Sequence, residues 1–409
     1  MIRLAVIGLG NRGRGAYLTN FKKYSDIEIT ALCDTNPATL EAVRAQYAPN
    51  ARCFADDAAF FAAGQLADWL VIATPDNAHY PHARAALNLG YHLLLEKPVT
   101  AVPAQLDELV ALAKEQERRV IVCHVLRYSP FFGKIKELLD EGAIGELVSV
   151  NHQENVGYWH YAHSYVRGNW RNTEVAAPFL LAKCCHDFDL LQWLVDRPCE
   201  SIACVGGQSY FREKNAPDGA PSHCMDGCPA KDCPYHVERL YLKKLGLLFW
   251  ARPTITGLPK PTIDQTRELL RKGDYGRCVF RCDNNVNDRH GVLLRFAGDI
   301  PVNFQVNALT RHFTRRIQLF GTKGELTGQD TLYHLRLKTF GKGAKTIPIK
   351  PAASGHLGAD PGICDTVHRL MCGENVNEKY LTTIDVTAQS HKLVYAALAS
   401  AESGETVKL

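Results

Sequence analysis

The chain contains no apolar run approaching the ~20 residues that a membrane helix needs, so no membrane span is expected. A strand-like segment begins at residue 2 without a signal-peptide pattern, so no export signal is expected. Dense runs of Lys or Arg are absent, and a net charge of +4 over 409 residues excludes a nucleic-acid surface. Arg311, Arg315 and Arg316 stand close together, but in a strand-like setting that predicts a solvated face. Internal repeats and low-complexity linkers are also missing. What is present, 46% hydrophobic and 22% charged residues, is the composition of a globular protein. The length predicts two domains. Fourteen cysteines are scattered mostly through apolar segments, such as Cys33, Cys123, Cys204 and Cys364. Without an export signal they read as buried free thiols, and a cytoplasmic location is expected.

The most informative segment is the first. Ile2, Leu4, Val6 and Ile7 suit a buried parallel strand, and Gly8, Gly10 and Gly13 follow it as G-x-G-x-x-G. The first glycine permits a tight turn, the second a close approach to a pyrophosphate, the third close packing of helix on strand. Amides of Asn11, Arg12 and Gly13 at the helix start would face the phosphates, with the helix dipole behind them. A second strand-like run, Ile27 to Cys33, ends in Asp34. An acid there accepts hydrogen bonds from the ribose hydroxyls of NAD and repels the 2′-phosphate of NADP. Arg12 and Arg14 could reach such a phosphate, so NAD is favoured and NADP stays open.

Strand and helix patterns then alternate as a parallel α/β sheet requires. Trp69 to Ala73 is a strand that ends at Thr74-Pro75. His79 to Leu89 has helical spacing and stops at Gly90. Tyr91 to Leu95 is a strand before Glu96-Lys97-Pro98, and Leu106 to Gln116 is helical. Val120 to His124 completes the sheet. Ligands bind beyond the carboxyl ends of such strands, so Thr74, Pro75, Asn77, Glu96, Lys97 and His124 are expected in one crevice. From residue 125 the style changes. Helices are expected at Phe132 to Glu141, His186 to Asp196 and Thr383 to Ala401. Strands are expected at Glu146 to Glu154, Gly291 to Phe296, Val302 to Ala308 and Arg316 to Phe320. Alternation at Val302, Phe304 and Val306 implies a sheet with one solvated or partner-covered face. The expected fold is a doubly wound Rossmann-type domain over 1–124 and an α+β domain over 125–409. An irregular cysteine-containing insertion falls at about 211–275.

The glycine loop, Ala73-Thr74-Pro75 with His79, and Glu96-Lys97-Pro98 together resemble the glucose–fructose oxidoreductase, inositol dehydrogenase and MocA family, Gfo/Idh/MocA. Arg127-Tyr128-Ser129-Pro130, Asn169-Trp170-Arg171, His186 with Asp189 and Gly321 to Gly324 also correspond. The resemblance spans nearly the whole chain apart from the insertion. It implies that the second domain is built on a large open, mostly antiparallel sheet, and it implies NAD(P), a sugar, polyol or related hydroxy substrate, and a homodimer or homotetramer formed through that sheet. It also places His79 at the cofactor site and Trp170 and Arg171 at its edge. Lys97 inherits a role in catalysis or nicotinamide positioning. An amine near a positively charged ring should have a lowered pKa, suited to proton exchange near neutrality. Glu96 is expected to orient ribose or nicotinamide.

One departure matters. The family's catalytic Asp, four positions before its catalytic His, is replaced by Ala182, beside Lys183. Lys183 and His186 are expected to contact substrate together, as donors to a carbonyl or carboxylate. The bland reading has His186 capping its helix and Asp189 pairing with it. Between His152 and Arg171, Tyr158, Trp159, His160, Tyr161, His163, Tyr165 and Trp170 offer ring faces and polar tips to a sugar, core packing accounting for about half. No metal is assigned to the active site. In the insertion, Cys224, Cys228, Cys233 and His236 form C-x3-C-x4-C-x2-H, which fits structural zinc, free thiols or disulfides equally in kind. The expected activity is hydride transfer at a secondary alcohol or ketone of a sugar derivative, with Lys97 as acid/base. Two alternatives are an NAD-dependent glycoside-cleaving enzyme working by transient oxidation, and a non-catalytic NAD-binding regulator.

Overall fold

The computed structural model describes residues 1–243, 248, 251–258, 260–351 and 355–409. Six parallel strands form the first sheet: β1 (Ile2–Ile7), β2 (Ile27–Cys33), β3 (Arg52–Phe54), β4 (Trp69–Ile72), β5 (His92–Leu95) and β6 (Val120–Val122). Their order is β3-β2-β1-β4-β5-β6, so the winding reverses between β1 and β4. That reversal opens a crevice at the carboxyl ends of the strands. Both faces of the sheet are covered, and its central strands β4 and β5 are accordingly almost wholly apolar. Ala5, Ile7, Leu70 and Ile72 pack under Ala83, Leu87, Leu106 and Leu109 of the helices Asp76–Asn88 and Pro103–Glu115. Leu4, Val6 and Val71 face Ile363, Val367 and Leu370 on the opposite side. Those three belong to the helix Ala359–Met371, an element not expected from the sequence, in a stretch assigned there to the second domain.

The second sheet has nine strands in the order β14-β13-β12-β11-β7-β10-β9-β8-β15. They are β7 (Leu147–Asn155), β8 (Cys199–Gly207), β9 (Arg289–Phe296), β10 (Ile300–Asn307), β11 (Thr314–Gly321), β12 (Gly324–Gln329), β13 (His334–Thr339), β14 (Ala344–Pro348) and β15 (Val407–Lys408). Only β7 and β10 pair in parallel. Val150, Phe304, Val306, Ile317 and Leu319 point inward against Phe132, Ile135, Phe188, Leu191 and Val394 of three helices. The opposite face carries Asn151, Asn303, Gln305 and Gln318, around a shallow trough of about 1030 Å³ remote from the crevice.

Three expectations need correction. The helix expected from His186 begins at Phe179 and runs to Val195, so Lys183 and His186 share one helix. The insertion is not wholly irregular: Ile263–Lys272 is a helix closed by a reciprocal Thr262–Gln265 cap. Arg315 is buried, not solvated, because it shares strand parity with the inward residues Ile317 and Leu319. Among the described residues, no helix is long and apolar enough to cross a membrane.

Candidate active site

The glycine loop has the three properties its spacing predicts. Gly8 adopts φ +87°, and a Cβ there would lie 2.5 Å from the Ala73 carbonyl oxygen. A Cβ on Gly13 would lie 1.9 Å from the Gly8 oxygen, so helix and strand close up only around glycine. A Cβ on Gly10 would meet nothing within 4 Å. The space over Gly10 is therefore open, and the exposed Asn11 begins the helix beside it with no side-chain cap. An uncapped helix N-terminus facing open space fits a pyrophosphate. Asp34 accepts from the Leu9 amide at 2.7 Å and from Asn36 at 2.8 Å, standing at the end of β2 where a ribose would lie. These residues fit a bound dinucleotide.

Arg12 departs from expectation. Its guanidinium lies 2.5 Å from Glu96 and 3.0 Å from Asp360, and it donates to Tyr17 at 2.9 Å. Its charge is neutralised inside the protein rather than offered to a 2′-phosphate. Glu96 also accepts from Tyr17. Burial works to raise the Glu96 pKa, but Arg12 and Lys97 overcome it and hold the carboxylate below its usual range. Glu96 is thus a buried anchor for the turn it begins.

At the carboxyl ends of β4 and β5, His79 braces two loops. Its ring nitrogens lie 2.7 Å from the Pro98 carbonyl and 2.8 Å from that of Thr74. The Thr74 hydroxyl lies 3.2 Å from His82, Pro75 precedes the helix Asp76–Asn88, and Asn77 is exposed in its first turn. The peptide between Lys97 and Pro98 is cis. Lys97 crosses to the second domain, where its ammonium donates to the Ala182 carbonyl at 2.6 Å. A backbone oxygen therefore receives this lysine at the position where the family's Asp would stand. His124, expected at the crevice, is fully buried instead. Its ring stacks edgewise between His186 and His391, with centroids 5.6 and 5.5 Å away. Burial pushes its pKa well below the usual value, so it stays neutral.

Lys183 and His186 lie a turn apart on the helix Phe179–Val195, both mostly buried. Lys183 sits 3.3 Å from Glu154 and its ammonium lies over the Phe313 ring, 4.6 Å from the centroid. Burial lowers the Lys183 pKa, against the opposing pull of Glu154. Burial also pushes Glu154 up to about 7, although Arg315 and Lys183 both work the other way. Arg315 binds Glu154 at 3.0 Å and Asp187 at 2.8 Å, and Asp187 also meets His152 at 2.7 Å. Sequence reasoning missed this network, although inward parity with Val150 on β7 and Ile317 on β11 would have exposed Glu154 and Arg315. Asp189 does not pair with His186. It takes both arms of Arg127 at 2.7 Å, joining two segments that the resemblance had picked out separately.

The aromatic stretch divides. Tyr161 and Tyr165 are core, while Tyr158, Trp159 and His160 are partly exposed near Phe313. Trp170 reaches back to the first domain and donates to Asp76 at 3.0 Å, at the edge of the crevice. Arg171 turns to the insertion, binding Asp283 at 2.9 Å and Asp274 at 3.3 Å, so its expected place beside the cofactor is not where its charge lies.

Comparison with known proteins agrees with this architecture. Residues 2–124 match the profile of an oxidoreductase family with an NAD-binding Rossmann fold, and residues 136–409 match the C-terminal α/β domain of the same family, Gfo/Idh/MocA. YteT of Bacillus subtilis (strain 168) is 22% identical over 354 residues, 82% of this chain and 80% of YteT. A glycosyl hydrolase family 109 protein of Shewanella amazonensis is 29% identical over 157 residues, about a third of either chain (36% and 34%). An oxidoreductase from Agrobacterium radiobacter, solved with NAD+, L-tartaric acid and magnesium, superposes with TM-score 0.70 at 17% identity, covering 100% and 98% of the chains. The WlbA dehydrogenase from Bordetella pertussis, solved with NADH and UDP-GlcNAcA, gives 0.67 at 20% identity with the same coverage, 100% and 98%. At such identity these two likenesses show the fold. With both family profiles spanning the chain and the glycine loop shaped for a dinucleotide, the protein belongs to the Gfo/Idh/MocA family and is an NAD-binding oxidoreductase.

Proposed function

We propose that the protein oxidises a secondary alcohol, or reduces the matching ketone, on a sugar or polyol derivative. NAD supplies the hydride acceptor or donor. The observation that carries the reading is Lys97, which leaves β5 at the crevice and meets the Ala182 carbonyl at 2.6 Å, on the helix that also carries Lys183 and His186. A secondary alcohol needs a group that holds or accepts its proton as the C–H bond breaks, and the Lys97 amine suits that role. His186 orients the hydroxyl. Lys183 presents a cation partly dehydrated by its surroundings, suited to a carbonyl or carboxylate on the substrate. Gly8, Gly10, Asn11, Gly13 and Asp34 would hold the dinucleotide, with Thr74, Pro75, Asn77, His79, Glu96 and Trp170 shaping the rest of its bed. Trp159, His160 and Phe313 offer ring faces to the sugar.

The test is turnover of a panel of sugars, sugar acids and polyols, followed as NADH formation with wild type, His186→Ala and Lys183→Ala. Unchanged kcat/KM in both variants would remove these side chains from the reaction. The likeness to glycosyl hydrolase family 109 gives a second reading: aglycone release from a glycoside without net NADH formation. The same panel, with aryl glycosides added, separates the two.

A further inference from the structure

The insertion between β8 and β9 holds a group of residues for which the redox site has no use. Cys224, Cys228, Cys233 and Cys278 line one small cavity, together with Arg167 and Tyr235. The first three follow one another at C-x3-C-x4-C spacing, whereas Cys278 arrives from much further along the chain. A backbone bridge between His223 and Arg277 brings it in. The Cys224 amide donates to Gly276 at 3.0 Å and the Cys278 amide to Ser222 at 2.7 Å, setting these two cysteines side by side. His236, which the spacing had offered as a fourth ligand, lies with its Nε2 3.1 Å from the Cys224 carbonyl oxygen.

Arg167 is the second, independent observation. It is 0% exposed, and no carboxylate lies within ion-pair distance of it among the described residues. Its Nε donates to the Arg277 carbonyl at 2.7 Å. Its Nη2 donates to the Tyr235 carbonyl at 2.9 Å and reaches the Cys224 sulfur at 3.6 Å. Its Nη1 is buried with no partner among the described residues. A guanidinium taken wholly out of water needs a counter-charge. Four thiols supply none, but four thiolates around a metal carry net negative charge.

We propose that Cys224, Cys228, Cys233 and Cys278 are the four ligands of a thiophilic metal centre, a zinc ion or an iron–sulfur cluster, with Arg167 as its buried counter-cation. Metal binding displaces the four thiol protons to solvent, leaving thiolates. No three of these sulfurs lie within 4.8 Å of one another. Zinc binding would draw the sulfurs together, since the edges of a zinc tetrathiolate are ~3.8 Å. Cys282 stands outside the set: its sulfur donates to the Cys278 carbonyl at 3.3 Å and does not line the cavity. The centre would fasten the insertion to Ala162–Arg167, the segment that leads to Trp170 at the crevice.

The full-length chain is to be produced without a metal-affinity tag and purified anaerobically, and its zinc, iron and acid-labile sulfide measured per protomer. The expected result is about one zinc, or about four iron with about four sulfide. Cys228→Ser and Cys278→Ser should lose that metal and Cys282→Ser should keep it. Should the first two fail to fold, thiol titration of the native wild type decides. Removal of the metal by a chelator or ferricyanide is expected to release four further thiols, mapped by peptide analysis to Cys224, Cys228, Cys233 and Cys278, as the melting temperature falls. A folded chain that holds neither metal overturns the proposal, whether its four cysteines are free or disulfide-linked. Metal kept by Cys278→Ser and lost by Cys282→Ser overturns the ligand assignment.

Discussion

Gly10 and Gly13 are the same residue type three positions apart, yet they answer to different demands. Gly10 faces open space and Gly13 faces a backbone oxygen, so Ala substitutions should separate binding from folding. Gly13→Ala should cost about 3 kcal/mol of stability, since a carbonyl cannot give way as a side chain can. Gly10→Ala should change stability by less than about 0.5 kcal/mol while weakening NADH. Thermal melts and calorimetry on both variants check this. Lys97→Met should lower kcat by about 10²- to 10⁴-fold, with NADH affinity nearly unchanged, as stopped-flow measurements would show. Much at this scale was legible. The places of the glycines, Asp34 and Lys97 at strand ends are readable because they follow from backbone freedom and the order of the apolar runs. Arg12, Arg171 and His124 were misread because only tertiary structure reveals which carboxylate or ring meets a side chain.

The helix Phe179–Val195 joins both halves of the site, since it holds Lys183, His186, Asp187 and Asp189. Its start was invisible in the sequence. It follows Pro178 with no side-chain cap, and nearly every residue is buried, so no amphipathic period marks the first two turns. Three buried ion pairs fix it: Asp187 to Arg315 on β11, Asp189 to Arg127, and Lys183 to Glu154 on β7. Removing one partner leaves a buried charge, so Arg127→Met should destabilise the protein by about 3–5 kcal/mol. The double variant Arg127→Met, Asp189→Leu should recover much of that loss in denaturant titrations. Strands β13 and β14 also escaped prediction. β13 offers only a two-residue alternation, Leu335 and Leu337, and β14 is a short, mostly exposed edge strand, so neither gives a long signal.

Across the whole molecule, stability should depend on buried neutral histidines. Burial holds His163 and His391 at about 3 in the folded chain. The Val99 amide donates to Nε2 of His391 at 3.1 Å, which fixes its neutral tautomer and ties the last long helix to the turn after Lys97. The unfolded chain protonates such rings near 6.5, so below that pH it binds more protons than the folded state. Their contribution is complete above pH 6.5 and shrinks as pH falls, by about 2 kcal/mol for each at pH 5. The melting temperature should therefore drop between pH 7 and 5, and His391→Gln should flatten that slope. The first sheet was legible from alternation and punctuation, whereas the large second sheet came with the family resemblance. The return of Ala359–Met371 to the first sheet was not legible, because nothing local says which sheet an amphipathic helix will cover.

Calorimetric titration of NADH into nucleotide-free protein, wild type beside Gly10→Val, tests the dinucleotide bed most directly. Saturable binding by wild type, weakened about tenfold or more in a variant whose melting curve is unchanged, is the predicted result. Absence of binding by wild type, or equal affinity in both proteins, would contradict it.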